Sequence, residues 1–310
     1  MTTILTWLRL LRIPNHATAA ADVLAGFLIV ARPREIGPLP PALWWALAAS
    51  LAFYAAGMVL NDVFDVELDR RERPERPLPS GTIAVGTAAT VGRGLLTLGS
   101  LAACLAAFGS THPAVALVGA ALAAAVWTYD RHAKPTAFGP AVMGTCRGLN
   151  WLLGMTAAGG PNAPSDWLIP LGMGLYAGGI TLYARDEAGR SRAGQLAIAT
   201  LVMLVGLCLA GASTWLLAAS GEGSAWLRSG RLLPWLALWA VLASSILLRN
   251  VLGILDPASG RVQQAVGNAI MSMITLAAVL VLPACGEAWA IVVLLLLVPF
   301  LVGRQLVSAT

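Results

Sequence analysis

Asn61-Asp62-Val63-Phe64-Asp65-Val66-Glu67-Leu68-Asp69 closes a long apolar run, 42–62. A basic, proline-rich tail follows at once: Arg70-Arg71-Glu72-Arg73-Pro74-Glu75-Arg76-Pro77-Leu78-Pro79-Ser80-Gly81. The three aspartates stand three, four and seven residues apart, so one helix carries them on one face. Carboxylates at the end of an apolar run are costly to hold without a partner. Clustered on one face, they offer what a hard divalent cation needs. Mg²⁺ is commonly held by one or two carboxylates together with a substrate's phosphates. The adjoining arginines suit the rest of a polyanion.

Composition sets the frame around this stretch. Of the 310 residues, 58% are hydrophobic and only 11% charged, with a mean hydropathy of +0.76; a soluble domain carries about 25% charged residues. The chain therefore reads as an all-α, multi-pass membrane protein. Runs of roughly 20 apolar residues each match the thickness of a bilayer core. They fall near 15–31, 42–62, 84–108, 113–129, 138–158, 167–185, 194–219, 232–254, 265–283 and 287–303. That predicts ten transmembrane helices, or nine if the last run lies in the interface. Arg9 and Arg12 precede the first run, but no small-residue cleavage site follows it, so no cleavable signal is expected. No polar linker divides the chain, and 1–310 reads as one domain.

Counting cations tests the topology. With a cytoplasmic N-terminus, the inside segments hold Arg9, Arg12, Arg70, Arg71, Arg73, Arg76, Arg131, Lys134, Arg185, Arg190, Arg192, Arg249, Arg261 and Arg304. The outside loops hold Arg32, Arg34, Arg228 and Arg231. Fourteen against four is the positive-inside asymmetry. It explains the basic pI near 9.4 without nucleic acid and puts the aspartates on the cytoplasmic side. Cys104, Cys146, Cys208 and Cys285 are isolated, with no CxxC, and His16, His112 and His132 are scattered. Neither a His/Cys metal site nor a disulfide framework is supported.

The remaining polar chemistry sits in the inside loops. Tyr183-Ala184-Arg185-Asp186-Glu187-Ala188-Gly189-Arg190-Ser191-Arg192 follows the sixth run as the first cluster follows the second. Two crossings, a basic inside loop and two more crossings separate them, which reads as a weak repeat of helix pairs. Between them lies Thr128-Tyr129-Asp130-Arg131-His132-Ala133-Lys134-Pro135, with the chain's only lysine. Arg147 and Asn150 share a face inside the fifth run, and Asn15 and Asp22 share one in the first. An arginine within a membrane helix faces a wet cavity, an anion or an ion-pair partner. Asp22 is either that partner or faces a substrate.

These motifs resemble the UbiA superfamily of intramembrane prenyltransferases. The first motif, Asn61-Asp62-x-x-Asp65-x-x-x-Asp69 with Arg73-Pro74-x-Arg76-Pro77-Leu78-Pro79-Ser80-Gly81, is the specific one. The Tyr129–Lys134 corner, Arg147-x-x-Asn150 and Arg12-x-x-Asn15 are similar but less specific. The resemblance implies a helix bundle around a central cavity in the cell (inner) membrane, with the site on the cytoplasmic side. It implies transfer of an isoprenyl group from a prenyl diphosphate to a small aromatic or lipid-like acceptor, assisted by Mg²⁺. The residues implied as catalytic and metal-binding are Asp62, Asp65, Asp69 and Asp186. Those implied for substrate are Asn15, Asn61, Arg73, Arg76, Tyr129, Lys134, Arg147, Asn150 and Arg190. Membrane lipid is the implied surrounding, with no nucleic acid and no obligate protein partner.

The second motif departs from the family's pair of aspartates four apart. Asp186 is followed four places later by Arg190, and Glu187 on a helix points about 100° away from Asp186. Asp186 then serves a second metal alone while Arg190 contacts diphosphate, or the chain belongs to a divergent branch such as the EboC-like group. A non-catalytic relative acting in transport or export of a small metabolite is the alternative function. A CDP-alcohol phosphotransferase is not supported, because its Asp-Gly-x-x-Ala-Arg signature is absent. Hydropathy excludes a soluble-type terpene synthase.

Overall fold

The computed structural model describes residues 3–308 apart from 111, 188 and 222, and only the backbone of 3–5, 304 and 306–308. Ala188, Glu222 and the side chain of Arg304 therefore lie outside the described residues. Among those residues the chain is helical throughout, with no strand. The order is α1 (Thr3–Leu10), α2 (His16–Ala31), α3 (Pro41–Phe64), α4 (Val66–Glu72), α5 (Val85–Phe108), α6 (Ala114–Thr128) and α7 (Gly139–Ala157). Then come α8 (Leu168–Tyr183), α9 (Ala193–Ser220), α10 (Ala225–Arg228), α11 (Leu232–Leu255), α12 (Ser259–Cys285), α13 (Glu287–Leu294) and α14 (Leu297–Ser308). In lipid every backbone N–H and C=O must be satisfied within the segment, which is why apolar runs become helices.

The chain is a multi-pass integral membrane protein. Six stretches are long and apolar enough to cross a bilayer: Ile13–Ala31, Pro41–Phe64, Val85–Phe108, Ala193–Ser220, Leu232–Leu255 and Ser259–Cys285. Length and hydropathy thus give six rather than nine or ten. α6 and α8 are short, at 15 and 16 residues, and α7 carries the charge of Arg147. Leu98, Leu117, Leu201, Leu233, Val241 and Leu248 are exposed on the outer faces, as lipid contact requires. The last run divides at Leu295-Leu296 into α13 and α14. α14 returns to the end where α2 begins, and Gly303 lies against Pro14.

α2 is the axis of the bundle. It is buried along almost its whole length and packs against α3, α7, α12 and α13. Lipid is as apolar as leucine, so close approach rather than water exclusion must hold such helices together. Two glycines provide it. A Cβ on Gly154 would stand 2.1 Å from the Val23 carbonyl oxygen, and one on Gly26 would stand 2.6 Å from that of Trp151. With the two backbones in contact, Asp22 on α2 comes level with Arg147 and Asn150 on α7.

A second, small core closes the end where α2 begins. Leu10, Val59, Leu78, Ile83 and Ala88 pack together there, with Trp7 and Val66 against them. Leu78, framed by Pro77 and Pro79, is the plug. Its loop folds back on itself through Ser80 N–H donating to Arg76 O (3.0 Å) and Ile83 N–H to Pro77 O (3.1 Å). The arginine-rich tail is therefore a packed cap over the aspartates rather than a trailing loop.

Candidate functional site

The aspartate helix is not one straight rod. α3 ends at Phe64, Asp65 has ψ of −2°, and α4 begins at Val66. The backbone bonds still run on, Asp65 N–H to Asn61 O (3.0 Å) and Asp69 N–H to Asp65 O (2.8 Å). The bend leaves the three carboxylates on the same side, each met by cations from a different element. Asp62 Oδ1 accepts from Arg12 Nη2 at 3.3 Å and lies 3.9 Å from Arg76 Nη1. Asp69, buried, is held by Arg76 Nη1 at 2.8 Å, which fastens the cap loop to α4. Asp65 pairs with Lys134, whose Nζ also donates to Asn61 Oδ1 at 3.0 Å.

Arg12 was counted in the sequence as a topology charge and as part of the Arg12-x-x-Asn15 motif but not among the site residues, yet it touches the site. Its backbone is left-handed, with φ 50° and ψ 48°, a strained conformation for a side chain other than glycine. Asn15 lies against the Tyr54 hydroxyl, deeper in the bundle, and His16 meets the Tyr54 ring edge-on at 5.0 Å.

The Tyr129–Lys134 corner is a π-turn, Tyr129–Ala133, of the kind that often marks functional sites. It sorts its residues by side. Arg131 turns outward onto Phe64 and Trp127, 5.8 Å from each ring. Lys134 turns inward to Asp65, and Tyr129 lies within electrostatic reach of Asp65. Asp130, also inward, is buried and accepts from Asn61 Nδ2 at 3.3 Å. Burial pushes its carboxyl up to about 7, against the pull of Asn61 and Lys134. Asp130 did not stand out in the sequence, although it ends an apolar run as Asp62 does.

The second acidic corner differs from its helical expectation. α8 stops at Tyr183, and 184–187 form turns. Asp186 faces outward and is 4.0 Å from Arg192. Glu187 is the carboxylate that faces the first corner. Burial raises it above its ordinary range, and Arg73 and Arg12 pull it back. Its carbonyl is held by Ser259 Oγ at 2.5 Å, while Ser191 N–H donates to Pro257 O at 3.2 Å. Gly189 and Ser191, just after Glu187, were the sequence signal for a turn. Arg190 is exposed and has no ion pair among the described residues. Arg185 Nη2 reaches Pro135 O at 3.5 Å, so the corners share one end of the bundle.

Arg147 and Asn150 lie apart from this end, in the network that the Gly26 and Gly154 contact assembles. Arg147 Nε is 2.6 Å from Asp22 Oδ2, and its Nη2 donates to Thr18 O at 3.0 Å. Asn150 Nδ2 donates to Asp22 Oδ2 (3.1 Å) and Ala19 O (3.0 Å), and its Oδ1 accepts from Ser50 Oγ (2.6 Å). Of the two roles open to Asp22 in the sequence, it takes that of ion-pair partner.

Among the described residues no three His, Cys, Asp or Glu side chains converge into a ready-made metal cage. What converges is a set of carboxylate oxygens interleaved with Arg12, Arg76 and Lys134. Such a set has the chemistry to exchange its internal ion pairs for a polyanion and its counter-cation.

The family model described as the UbiA prenyltransferase family matches residues 21–266. A digeranylgeranylglyceryl phosphate synthase from Methanocaldococcus jannaschii is 39% identical over 94 residues, 30% of this chain and 32% of that protein. One from Thermococcus sibiricus is 31% identical over 141 residues, 44% of this chain and 49% of that protein. The matches thus span a third to a half of these relatives' length. A solved structure of digeranylgeranylglyceryl phosphate synthase shares the fold with a TM-score of 0.65 at 22% identity, covering 92% of this chain and 99% of that one. A UbiA homolog from Archaeoglobus fulgidus bound to GPP and Mg²⁺ gives 0.57 at 14% identity, covering 86% and 99%.

Proposed function

Because the chain belongs to the UbiA prenyltransferase family, we propose that it moves an isoprenyl group from a prenyl diphosphate to a small acceptor within the membrane. The observation that carries this reading is the single end at which Asp62, Asp65 and Asp69 meet Arg12, Arg76, Lys134 and Asn61. Diphosphate is a dense anion, and cations drawn from separate elements suit its spread of oxygens. Arg12, Arg73, Arg76 and Lys134 hold it, with Arg190 reaching from the second corner.

The donor set fits Mg²⁺. It is oxygen only, and without three converging carboxylates it needs phosphate oxygens to complete a shell, which is how Mg²⁺ is usually bound. Asp62, Asp65 and Asp69 would hold it together with the diphosphate; bound there, Mg²⁺ would offset charge on the departing diphosphate. In the reaction the prenyl C–O bond breaks and its electron pair leaves with the diphosphate. The four cations are already placed where that charge develops. The apolar helices exclude water from the allylic cation until the acceptor captures it and loses a proton.

The relatives' name, a prenylated glyceryl phosphate synthase, favours a lipid-like acceptor over an aromatic one. In the membrane α6, α7 and α8 join the six long spans to make nine crossings. The α13–α14 stretch is a tenth, since it returns to the end where α2 begins. The cation count favours a site on the cytoplasmic side of the membrane. Titration of the purified protein with a prenyl diphosphate, with and without Mg²⁺, tests the reading. Binding that depends on Mg²⁺ supports it, and no binding of any chain length removes it.

A further inference from the structure

We infer that Asp130 is a positioning residue, which acts through Asn61 to fix the Lys134 ammonium beside Asp65. Its functional half rests on the prenyl diphosphate reading above; its structural half does not. An asparagine amide accepts at one end and donates at the other. Asn61 Nδ2 donates to Asp130 Oδ1 at 3.3 Å, and Asn61 Oδ1 accepts from Lys134 Nζ at 3.0 Å. Turning the amide over would set oxygen against carboxylate and NH₂ against ammonium, so Asp130 and Lys134 enforce one orientation from opposite sides. Lys134, held there, completes the chain to Asp65.

Asp130 has no room to act on a substrate directly. It is 6% exposed. Among the described residues its Oδ2 has no hydrogen-bond partner, and it lies against α3, 3.9 Å from where a Cβ on Gly57 would stand. Behind Lys134 the backbone is wedged as well. A Cβ on Gly139 would come within 3.0 Å of the carbonyl oxygens of Ala133 and Lys134. The π-turn therefore sets the Lys134 backbone, and the Asp130–Asn61 pair sets its head group.

Lys134 is the only lysine in the chain, so its environment is readable without any activity. The purified full chain is labelled with an amine-reactive ester and followed at Lys134 by peptide mass spectrometry, with the N-terminal amine resolved on its own peptide. Asp130→Ala and Asn61→Ala should each speed labelling by about fivefold, and the double variant should be no faster than either, as for residues in one network. Asp130→Asn, which can still accept from Asn61, should stay near the wild-type rate. Arg131→Ala, which alters the neighbouring residue outside the network, should match wild type. If Asp130→Ala does not fold, Asp130→Ser takes its place.

A wild-type rate in the alanine (or serine) variant, or effects that multiply in the double variant, would overturn the inference. In the functional arm, Asp130→Ala should weaken prenyl diphosphate binding by about tenfold in the wild-type background and not at all in Asn61→Ala. Loss in both backgrounds overturns the positioning role. A wild-type protein that binds no prenyl diphosphate would instead remove the proposed function and leave the labelling rates to decide the relay.

Discussion

Two ionic networks stand at different depths in this bundle, and they are built to opposite ends. Asp22, Arg147, Asn150, Thr18 and Ser50 form a sealed set between α2, α3 and α7, where Asp22 is 0% exposed. Asp62, Asp65, Asp69, Arg12, Arg76 and Lys134 form an open set at the end of the bundle, where Arg12 and Lys134 keep side-chain exposures of 40% and 32%. The sealed set ties Arg147 to a backbone carbonyl and to short side chains, which have nowhere else to go. The open set uses long side chains from separate segments, which swing away at little cost. Charge pairs of the same kind are therefore locked away in one place and accessible in the other.

The largest effect should come from breaking the sealed pair. Arg147→Leu leaves the Asp22 carboxylate buried without its partner, at a cost of about 3–5 kcal/mol. We expect loss of the folded species on size-exclusion in detergent, with partial recovery in the double variant Asp22→Leu, Arg147→Met. A single variant with wild-type thermal stability would show that water reaches the pair, and the contrast would fail.

Asp65→Asn probes the open set and should spare the fold. Turnover of a prenyl diphosphate should fall at least about a hundredfold, near 2.7 kcal/mol, with an unchanged melting temperature in detergent. Chelating Mg²⁺ should reproduce the loss in the unmutated protein. Turnover that persists in Asp65→Asn with chelator present would remove metal assistance from the mechanism.

Smaller effects sharpen the open set by ranking its cations. Arg76→Ala removes a proposed diphosphate contact and unfastens the cap loop from Asp69, so affinity should drop about tenfold. Arg190→Ala, on an exposed turn, should cost about threefold. Unchanged affinity in Arg190→Ala, measured by titration, would assign that arginine to topology alone.

A further effect, read on stability rather than on affinity, concerns pH. Burial raises the Asp130 carboxyl from an ordinary 3.8 to about 7 in the folded protein. Its contribution to stability is therefore full below about pH 3.8 and is lost as the pH rises through about 7. Melting temperatures in detergent across that range should show this fall in the unmutated protein. Asp130→Asn should flatten it, and an identical slope in both would place the titration elsewhere.

Most of the helical order was legible because apolar runs in lipid have one backbone solution. The 138–158 run became Gly139–Ala157, and 194–219 became Ala193–Ser220. The last run was the exception. Its break into α13 and α14 carries no charge or glycine signal in the sequence at Leu295-Leu296. The first corner was legible too, since Asp62, Asp65 and Asp69 stand at helical spacing and are followed by Arg76, which meets two of them. The second corner was misread as helix, so Glu187 was turned away from a site it faces.

By itself, then, the sequence determined a multi-pass helical membrane protein, the residues of the Asn61–Arg76 corner and the family to which they belong. Local periodicity and hydropathy act within a segment and leave their mark there. The tertiary structure decided the partners: Arg12 on Asp62, Lys134 on Asp65, Asp130 on Asn61, Glu187 toward Arg73. It also decided that Asp22 meets Arg147, because that pairing depends on Gly26 and Gly154 letting two distant helices touch backbone to backbone. Contacts between residues 50 to 130 positions apart are set by how helices cross, and no local pattern encodes that crossing.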